Sequence, residues 1–145
     1  MSLQDTYNET PALGVVGAIA DTRHRVLISR TIEGTEGDVV AFGKPLAQGT
    51  ADYGARATTT GDTAIVGITT REQNVFTDGF AVDDSARVMT TGTIWVTAAV
   101  AVVAGDPVHV VVADGTFSNT GGVALANARY EDTAAADALV RIRLD

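Results

Sequence analysis

The fold of this protein is decided by the stretch Gly105-Asp106-Pro107-Val108-His109-Val110-Val111-Val112-Ala113-Asp114-Gly115-Thr116-Phe117-Ser118, in which two turns enclose a run of valines. Valine is branched at Cβ and favours extended backbone. Asp114-Gly115 tolerates the positive φ that a type I′ turn needs at both central positions, so this stretch predicts a tight hairpin between residues 108–112 and 116–118. His109 alternates with the valines and is interpreted as a hydrogen-bonded strand residue.

Short units of a turn followed by a strand recur along the rest of the chain. Turns that contain glycine precede apolar runs at 38–42, 64–68 and 93–96. Gly37-Asp38 and Gly105-Asp106 head two loosely similar halves, and Asp84-Ser85 heads a degenerate step between them. We expect the aspartate of each step to cap backbone N–H groups before its strand begins. Two similar halves indicate a sandwich or a small barrel.

The last residues of the chain alternate in the manner of a half-buried strand. Val140, Ile142 and Leu144 are predicted to lie on one face, and Arg141 and Arg143 on the other. The preceding residues, 132–139, are rich in alanine, and both a short helix and an exposed connection remain open for them.

Composition supports a single all-β domain. The 145 residues include 23 Ala, 20 Thr, 19 Val and 15 Gly but only 8 aromatics, which favours strands and turns over a helical bundle. The chain has no cysteine, so disulfides and thiolate chemistry are excluded. We predict an extended N-terminal arm over residues 1–25 and an antiparallel body over residues 26–145. An amphipathic helix over residues 19–28 is the competing interpretation of the arm's end.

Charge is distributed unevenly between the arm and the body. The net charge is -8, and residues 31–145 carry all of it, with 15 acidic and 7 basic residues. The first 30 residues are neutral and contain Arg23, Arg25 and Arg30. Because phosphate binding needs a basic surface, we expect no nucleic-acid partner. The longest apolar stretch, 94–104, falls short of the roughly 20 residues of a membrane helix, and the N-terminus lacks a signal-peptide pattern, so we expect no membrane partner.

The residue types needed for catalysis are nearly missing. His24 lies between two arginines, and the two histidines of the chain are not at ligand spacing. No nucleophile elbow, dinucleotide fingerprint or Walker loop is present. The carboxylates Asp78, Asp83 and Asp84 are separated by a strand-like run, which does not match a calcium loop. We therefore predict no enzyme activity, no catalytic or metal site and no cofactor.

Trp95 is the one large aromatic residue with two possible roles. Alternation in Thr93-Ile94-Trp95-Val96 places Trp95 on the face opposite its two aliphatic neighbours. Two interpretations remain open: Trp95 is a core residue, with the aliphatic residues outside or against a second layer, or Trp95 anchors an interface.

Three stretches of the chain carry a resemblance to a known family. They are residues 7–23, residues 26–46, and Gly92-Thr93-Ile94-Trp95-Val96 followed by the Gly105-Asp106 step. In these stretches the chain resembles the structural cement, or capsid decoration, proteins of tailed bacteriophages. The resemblance implies a jelly-roll-like or sandwich-like body and no enzyme activity. It also implies synthesis in the host bacterial cytoplasm and a place on the outside of the virion capsid, where the protein bridges neighbouring major capsid subunits, stabilises the expanded shell and forms a homodimer or homotrimer.

Within this resemblance, the arm is the predicted capsid-binding element. We expect the arm to be mobile in the free protein and to become ordered on the shell, which requires apolar burial to offset the lost chain entropy. The candidate residues for that burial are Tyr7, Pro11, Leu13, Val15, Val16 and Ile19. The candidates for pairing with shell carboxylates are Arg23, Arg25 and Arg30, with His24 as an exposed contact residue.

The alternative function is a β-sandwich binding module on the virion surface that recognises a carbohydrate or a receptor. Such a module needs an aromatic platform. The available residues are Trp95, Tyr53, Phe76 and Phe80.

Overall fold

A computed structural model describes residues 14–72 and 79–145 of the chain, and these residues form eleven β-strands and no helix. The all-β prediction is therefore confirmed. No helix in these ranges is long and apolar enough to span a membrane. The strands are β1 Val26–Ile32, β2 Val39–Ala41, β3 Pro45–Gln48, β4 Gly54–Ala57, β5 Ile65–Thr69, β6 Gly79–Ala81, β7 Ser85–Thr97, β8 Pro107–Val111, β9 Thr116–Ser118, β10 Val123–Tyr130 and β11 Leu139–Leu144.

The 13-residue strand β7 belongs to both halves of the molecule. Its first half pairs with β1 on one side and with β5 on the other. The order β1-β4-β3-β5-β7, together with the β1–β7 pairing, closes a small barrel. The β1–β4 pair of this barrel is parallel, whereas its other pairs are antiparallel.

The second half of β7 starts another set of strands. Gly92–Thr97 pairs with β11, and β10, β8 and β9 follow in that order. A parallel bridge between Ala98 and Phe117 connects β9 with the end of β7. The Ala99 N–H donates a hydrogen bond of 2.9 Å to the Phe117 carbonyl there. Two barrel-like halves thus share one strand, which agrees with the two-half organisation predicted from the repeat.

Each half has its own apolar core, and β7 supplies both. Ala86 and Val88 enter the first core, where the Phe42 and Phe80 rings meet edge to face at 5.3 Å. Ile94 and Val96, further along the same strand, are fully buried in the second core. Met89, the residue after Val88, is also fully buried but belongs to the second core, so neighbouring side chains of β7 enter different cores.

The buried Tyr130 is the largest side chain of the second core. Its hydroxyl donates a hydrogen bond of 2.8 Å to the Ser118 carbonyl, which connects β10 with β9 inside the half. Burial raises the pKa of Tyr130, so the hydroxyl remains a donor.

The aspartate turns predicted from the repeat occur four times. In each turn the aspartate N–H donates to the carbonyl three residues earlier, and the carboxylate accepts the N–H of that same residue at 2.6–3.0 Å. The residue before the aspartate has positive φ in every turn. In the degenerate step that residue is Asp83, with φ of 71°, so the geometry survives without glycine. The capped turns are Thr35–Asp38, Thr59–Asp62, Ala81–Asp84 and Val103–Asp106.

The hairpin predicted at Asp114-Gly115 is present, but the predicted turn type is wrong. Val111 pairs with Thr116, so four residues form the loop instead of two. Gly115 has φ of 66°, whereas φ of Asp114 is not positive. The Gly115 N–H donates to the Val111 carbonyl at 2.9 Å, and this longer loop needs only one left-handed residue at its end.

Three other predictions for the backbone are decided by the structure. Val140, Ile142 and Leu144 are buried, as the alternation predicted. Residues 132–138 form a connection without helix, and the Val102–Ala134 bridge ties this connection to the loop after β7. The alternative helix over residues 19–28 is wrong, because Ile19 bridges to β7 and β1 begins at Val26.

We predict that Asp62 makes folding stability depend on pH in acid. Its carboxylate accepts two hydrogen bonds from the Arg56 guanidinium, at 2.6 and 2.9 Å, and one from the Thr59 N–H at 2.6 Å. These bonds, those from Arg56 first, lower the pKa of Asp62 to about 2. The folded state then binds the proton more weakly than the unfolded chain does, so stability is lost as the pH falls from about 4 to about 2.

Asp62→Asn should flatten that part of the curve of unfolding free energy against pH, measured by urea titration at several pH values. Glu36→Gln is the control, since Glu36 is exposed and makes no side-chain contact within the residues described. An Asp62→Asn variant whose stability falls as steeply as that of the wild type between pH 4 and 2 would contradict this assignment.

Candidate functional site

Residues 14–20 form an additional edge along the second half of β7. The Gly17 N–H donates to the Trp95 carbonyl at 2.8 Å, and the Trp95 N–H donates to the Ala18 carbonyl at 3.0 Å. A further bond of 2.9 Å joins the Ala20 N–H to the Thr93 carbonyl. This part of the predicted arm is therefore hydrogen-bonded to the body. The division into an arm (1–25) and a body (26–145) stays a prediction.

A tight turn fixes the course of this segment at Gly17. The Ala18 N–H donates to the Val15 carbonyl at 2.9 Å, and Gly17 has φ of 83°. A Cβ atom at Gly17 would lie 2.7 Å from the Phe42 Cβ, so no larger residue fits there. Arg71 fixes the turn from the body. Its backbone N–H donates to the Gly17 carbonyl at 2.7 Å, and its Nε donates to the Val16 carbonyl at 3.1 Å.

Trp95 lies on the face of β7 that points away from the core. Ile94 and Val96 are the buried residues, so the interpretation of Trp95 as a core residue is wrong. The ring is half-buried under the chain's own atoms: a Cβ at Gly14 would overlap it, and the Arg141 guanidinium lies 5.6 Å from its centre. A role as an interface anchor stays a prediction.

Ion pairs cover the outward face of β11 next to Trp95. Arg141 forms a bidentate pair with Asp132 at 2.6 and 2.9 Å, which lowers the pKa of the Asp132 carboxyl. Arg143 pairs with Glu131 at 3.2 Å and with Asp145 at 3.3 Å. Both arginines of the strand are therefore neutralised within the chain.

The predicted binding residues fall into three groups. Tyr7, Pro11 and Leu13 lie outside the described residues, as does Phe76 of the alternative platform. Val16 and Ile19 are partly buried against the body, whereas Val15 is 53% exposed. Arg23, His24 and Arg25 follow the turn and are exposed.

The three arginines predicted to bind carboxylates have different surroundings. Arg23 reaches Asp145 at 3.4 Å, in a pair that is nearly half exposed and therefore weak. Arg25 makes no ion pair with any residue that the structure describes. Arg30 lies on β1, where its guanidinium is 5.7 Å from the centre of the Tyr53 ring. The structure thus separates Arg30 from the other two.

The aromatic residues of the alternative function do not share a surface. Phe80 is buried in the first core, and the Trp95 ring is covered by Gly14 and Arg141. Tyr53, which is 75% exposed, is the only one of the three described aromatics that is open to a ligand. Within the described ranges there is also no group of three His, Asp or Glu side chains placed to hold a metal ion.

Sequence reasoning missed the side chains that build the loop around Tyr53. The Glu33 carboxylate accepts the backbone N–H groups of Thr50 and Ala51 at 2.7 and 2.9 Å, and the bonds from Ala51 and Thr50 hold the pKa of Glu33 below its usual value. The Gln48 side-chain amide donates to three carbonyls of the same loop. The only signal in the sequence is the pair Gly49 and Gly54 that brackets the loop.

These features define a structural β-barrel protein that carries an N-terminal segment fixed across one of its strands. Comparison with known families gives a narrower assignment: residues 3–145 match the family described as structural cement protein (E217 gp24/Pam3 gp6). The chain belongs to this family. It is a structural protein of the phage capsid and not an enzyme.

A solved structure shares the fold of this chain. A chain from the capsid of Myoviridae phage XM1 superposes with a TM-score of 0.74 at 17% identity, over 100% of this chain and 98% of that chain. The N base of the head fiber gp8.5 of bacteriophage phi29 gives a TM-score of 0.47 at 18% identity, over 84% and 95%. No curated protein matches the sequence.

We predict that Gly17→Ala loosens the N-terminal segment from β7. An alanine at positive φ costs about 1–2 kcal/mol. The overlap with Phe42 should add about 1 kcal/mol or more. Gly121→Ala is the matched control, because Gly121 has φ of 71° and an added Cβ would meet nothing within 4 Å. Urea unfolding should show the larger loss for Gly17→Ala, and hydrogen exchange at the Trp95 N–H should become faster only in that variant. Equal losses in the two variants would contradict the close packing at Gly17.

Proposed function

We propose that this protein binds the outer surface of an expanded phage head, bridges neighbouring major capsid subunits and stabilises the shell. The observation that carries the proposal is the match to the cement-protein family over residues 3–145. The segment 14–25, of which residues 14–20 are hydrogen-bonded to β7, supplies the binding element. A capsid role of this kind needs no catalytic group. It suits an acidic body that faces solvent while the segment 14–25, which carries one Asp and two Arg, meets the shell.

The segment acts through two sets of residues. Val15 is exposed at the turn and offers an apolar contact, while Val16 and Ile19 hold the turn against the body. Arg25 and His24 follow the turn and stay open to carboxylates on the shell. Tyr7, Pro11 and Leu13, which lie outside the described residues, are proposed to make further apolar contacts with the shell.

The fixed segment changes the expected energetics of binding. Residues 14–20 are hydrogen-bonded to β7 in the isolated chain, so their backbone entropy is not lost at the shell. Many copies on one shell add avidity. The free energy of attachment then depends on the exposed side chains of the segment more than on its ordering.

Val15→Asp should abolish most decoration of expanded shells. Losing the burial of one valine costs about 1.5–3 kcal/mol, which corresponds to a drop in affinity of about tenfold or more. Val103→Asp is the control, because Val103 is exposed to a similar extent (58%) and does not belong to the N-terminal segment. Cosedimentation with expanded shells, followed by electron microscopy, measures the bound fraction. If Val15→Asp decorates shells as well as Val103→Asp does, the segment is not the binding element.

Arg25→Glu should weaken decoration and reduce its dependence on salt. The Debye length falls from about 10 Å at 0.1 M salt to about 3 Å at 1 M, so exposed pairs between Arg25 and shell carboxylates should be screened. Arg129→Glu changes the net charge by the same amount at another exposed arginine and serves as the control. Titration of shells at both salt concentrations tests the idea. A wild-type protein whose binding does not respond to salt would contradict this role of Arg25.

A further inference from the structure

The loop between β3 and β4 displays Tyr53 in a fixed position. Tyr53 is 75% exposed, more than any other large apolar side chain in the described residues. Beneath it, the Glu33 carboxylate accepts two backbone N–H groups of the loop, and the Gln48 amide donates to the carbonyls of Ala51, Asp52 and Gly54 at 3.0–3.3 Å. An exposed loop held this tightly loses little entropy on binding a partner.

The side chains next to Tyr53 carry one charge of each sign. The Arg30 guanidinium stacks on the ring at 5.7 Å and makes only a long bond, 3.4 Å, to the Asp52 carbonyl. The Asp52 side chain is exposed and forms no ion pair among the described residues. Tyrosine and arginine are the residue types that most often dominate binding energy at protein interfaces. We call Tyr53, Asp52 and Arg30 the tyrosine knob.

A cavity of about 260 Å³ lies elsewhere on the same chain, where the first half meets the loop between β8 and β9. Its walls are mostly small and apolar, and they include Val39, which is 54% exposed. Lys44, the only lysine of the chain, and Asp114 also line it. We call this cavity the lysine socket, with walls from Val39, Ala41, Pro45 and Ala57 beside the charges of Lys44 and Asp114.

The knob and the socket each combine apolar surface with one charge of each sign. An aromatic side chain fits a cavity of this volume, and the apolar walls suit the Tyr53 ring. The negative Asp52 beside the ring matches the positive Lys44, and the positive Arg30 matches the negative Asp114. We propose that the tyrosine knob of one copy of this protein enters the lysine socket of a neighbouring copy.

This contact has a definite symmetry. The knob and the socket are different surfaces, so the contact is head to tail, and copies related by a rotation that closes would form a ring. One side chain in one cavity is far smaller than a stable interface in solution. The contact should therefore form mainly where the shell holds copies side by side, because their effective concentration is high there. The inference thus rests on the proposed function.

Cysteine crosslinking tests the contact directly, because the chain has no cysteine of its own. Asp52→Cys protein and Lys44→Cys protein, with tags of different mass, are mixed under oxidising conditions, both in concentrated solution and on expanded shells. We expect the mixed disulfide at least tenfold above the yield from Val103→Cys mixed with Lys44→Cys. Adding Tyr53→Ala to the Asp52→Cys chain should lower the yield about tenfold. Because Tyr53 and Asp52 are exposed, these variants should fold, and urea unfolding checks that they do.

A charge swap provides the second measurement. Asp52→Lys and Lys44→Asp should each reduce the association of neighbouring copies on shells, whereas the two changes in one chain should restore it. A mixed disulfide no more abundant than the Val103→Cys control, in solution and on shells, overturns the proposal. If Lys44→Asp instead weakens the binding of isolated copies to shells, the socket holds a capsid side chain and the proposal is also wrong. Shell binding by the wild-type protein is measured separately by cosedimentation, so failure of the proposed function is distinguished from failure of this contact.

Discussion

The structure depends on one shared strand. β7 pairs with β1 and β5 in its first half and with β11 and the N-terminal segment in its second half. Every strand of the two barrels is hydrogen-bonded to β7 directly or through neighbouring strands. Because β7 supplies side chains to both cores, the two halves cannot rotate independently without exposing Val88, Met89 or Ile94. A rigid two-lobed body of this kind suits a protein whose role is mechanical.

Capped turns give the strands their starting points. Four aspartates accept the N–H three residues earlier and donate their own N–H to the carbonyl of that residue. Such a turn satisfies two backbone groups with one short side chain and sets the direction of the next strand. It also places charge at the surface, where Asp62 in particular is ionised because Arg56 and Thr59 bind its carboxylate. Four of the 18 acidic residues of the chain are thus part of its turns.

The N-terminal segment is held by the fold and carries the residues proposed to bind the capsid. Gly17 lets the chain pass against Phe42 and reach the hydrogen-bonding edge of β7, and Arg71 fixes it there. The turn leaves Val15 exposed, and Arg25, which follows later in the chain, is exposed as well. Gly14 of this segment lies against the Trp95 ring, and residues 17–20 pair with the edge of β7. Because this edge is paired, it is not open to non-specific strand pairing with another chain.

Local patterns in the sequence were sufficient to predict the strands β8, β9 and β11, the capped turns and the buried face of β11. These features depend on the φ preferences of a few residues and on alternation, which act within about ten residues. The sequence did not predict that the Asp114-Gly115 loop has four residues, that residues 14–20 join β7, or that Trp95 points outward under Gly14. It also did not show that Gln48 and Glu33 hold up Tyr53 or that Lys44 borders a cavity. Only the tertiary structure decided these points, because they depend on which distant segments become neighbours when the barrels close, and hydrogen bonds between such segments leave no periodic signal in the chain.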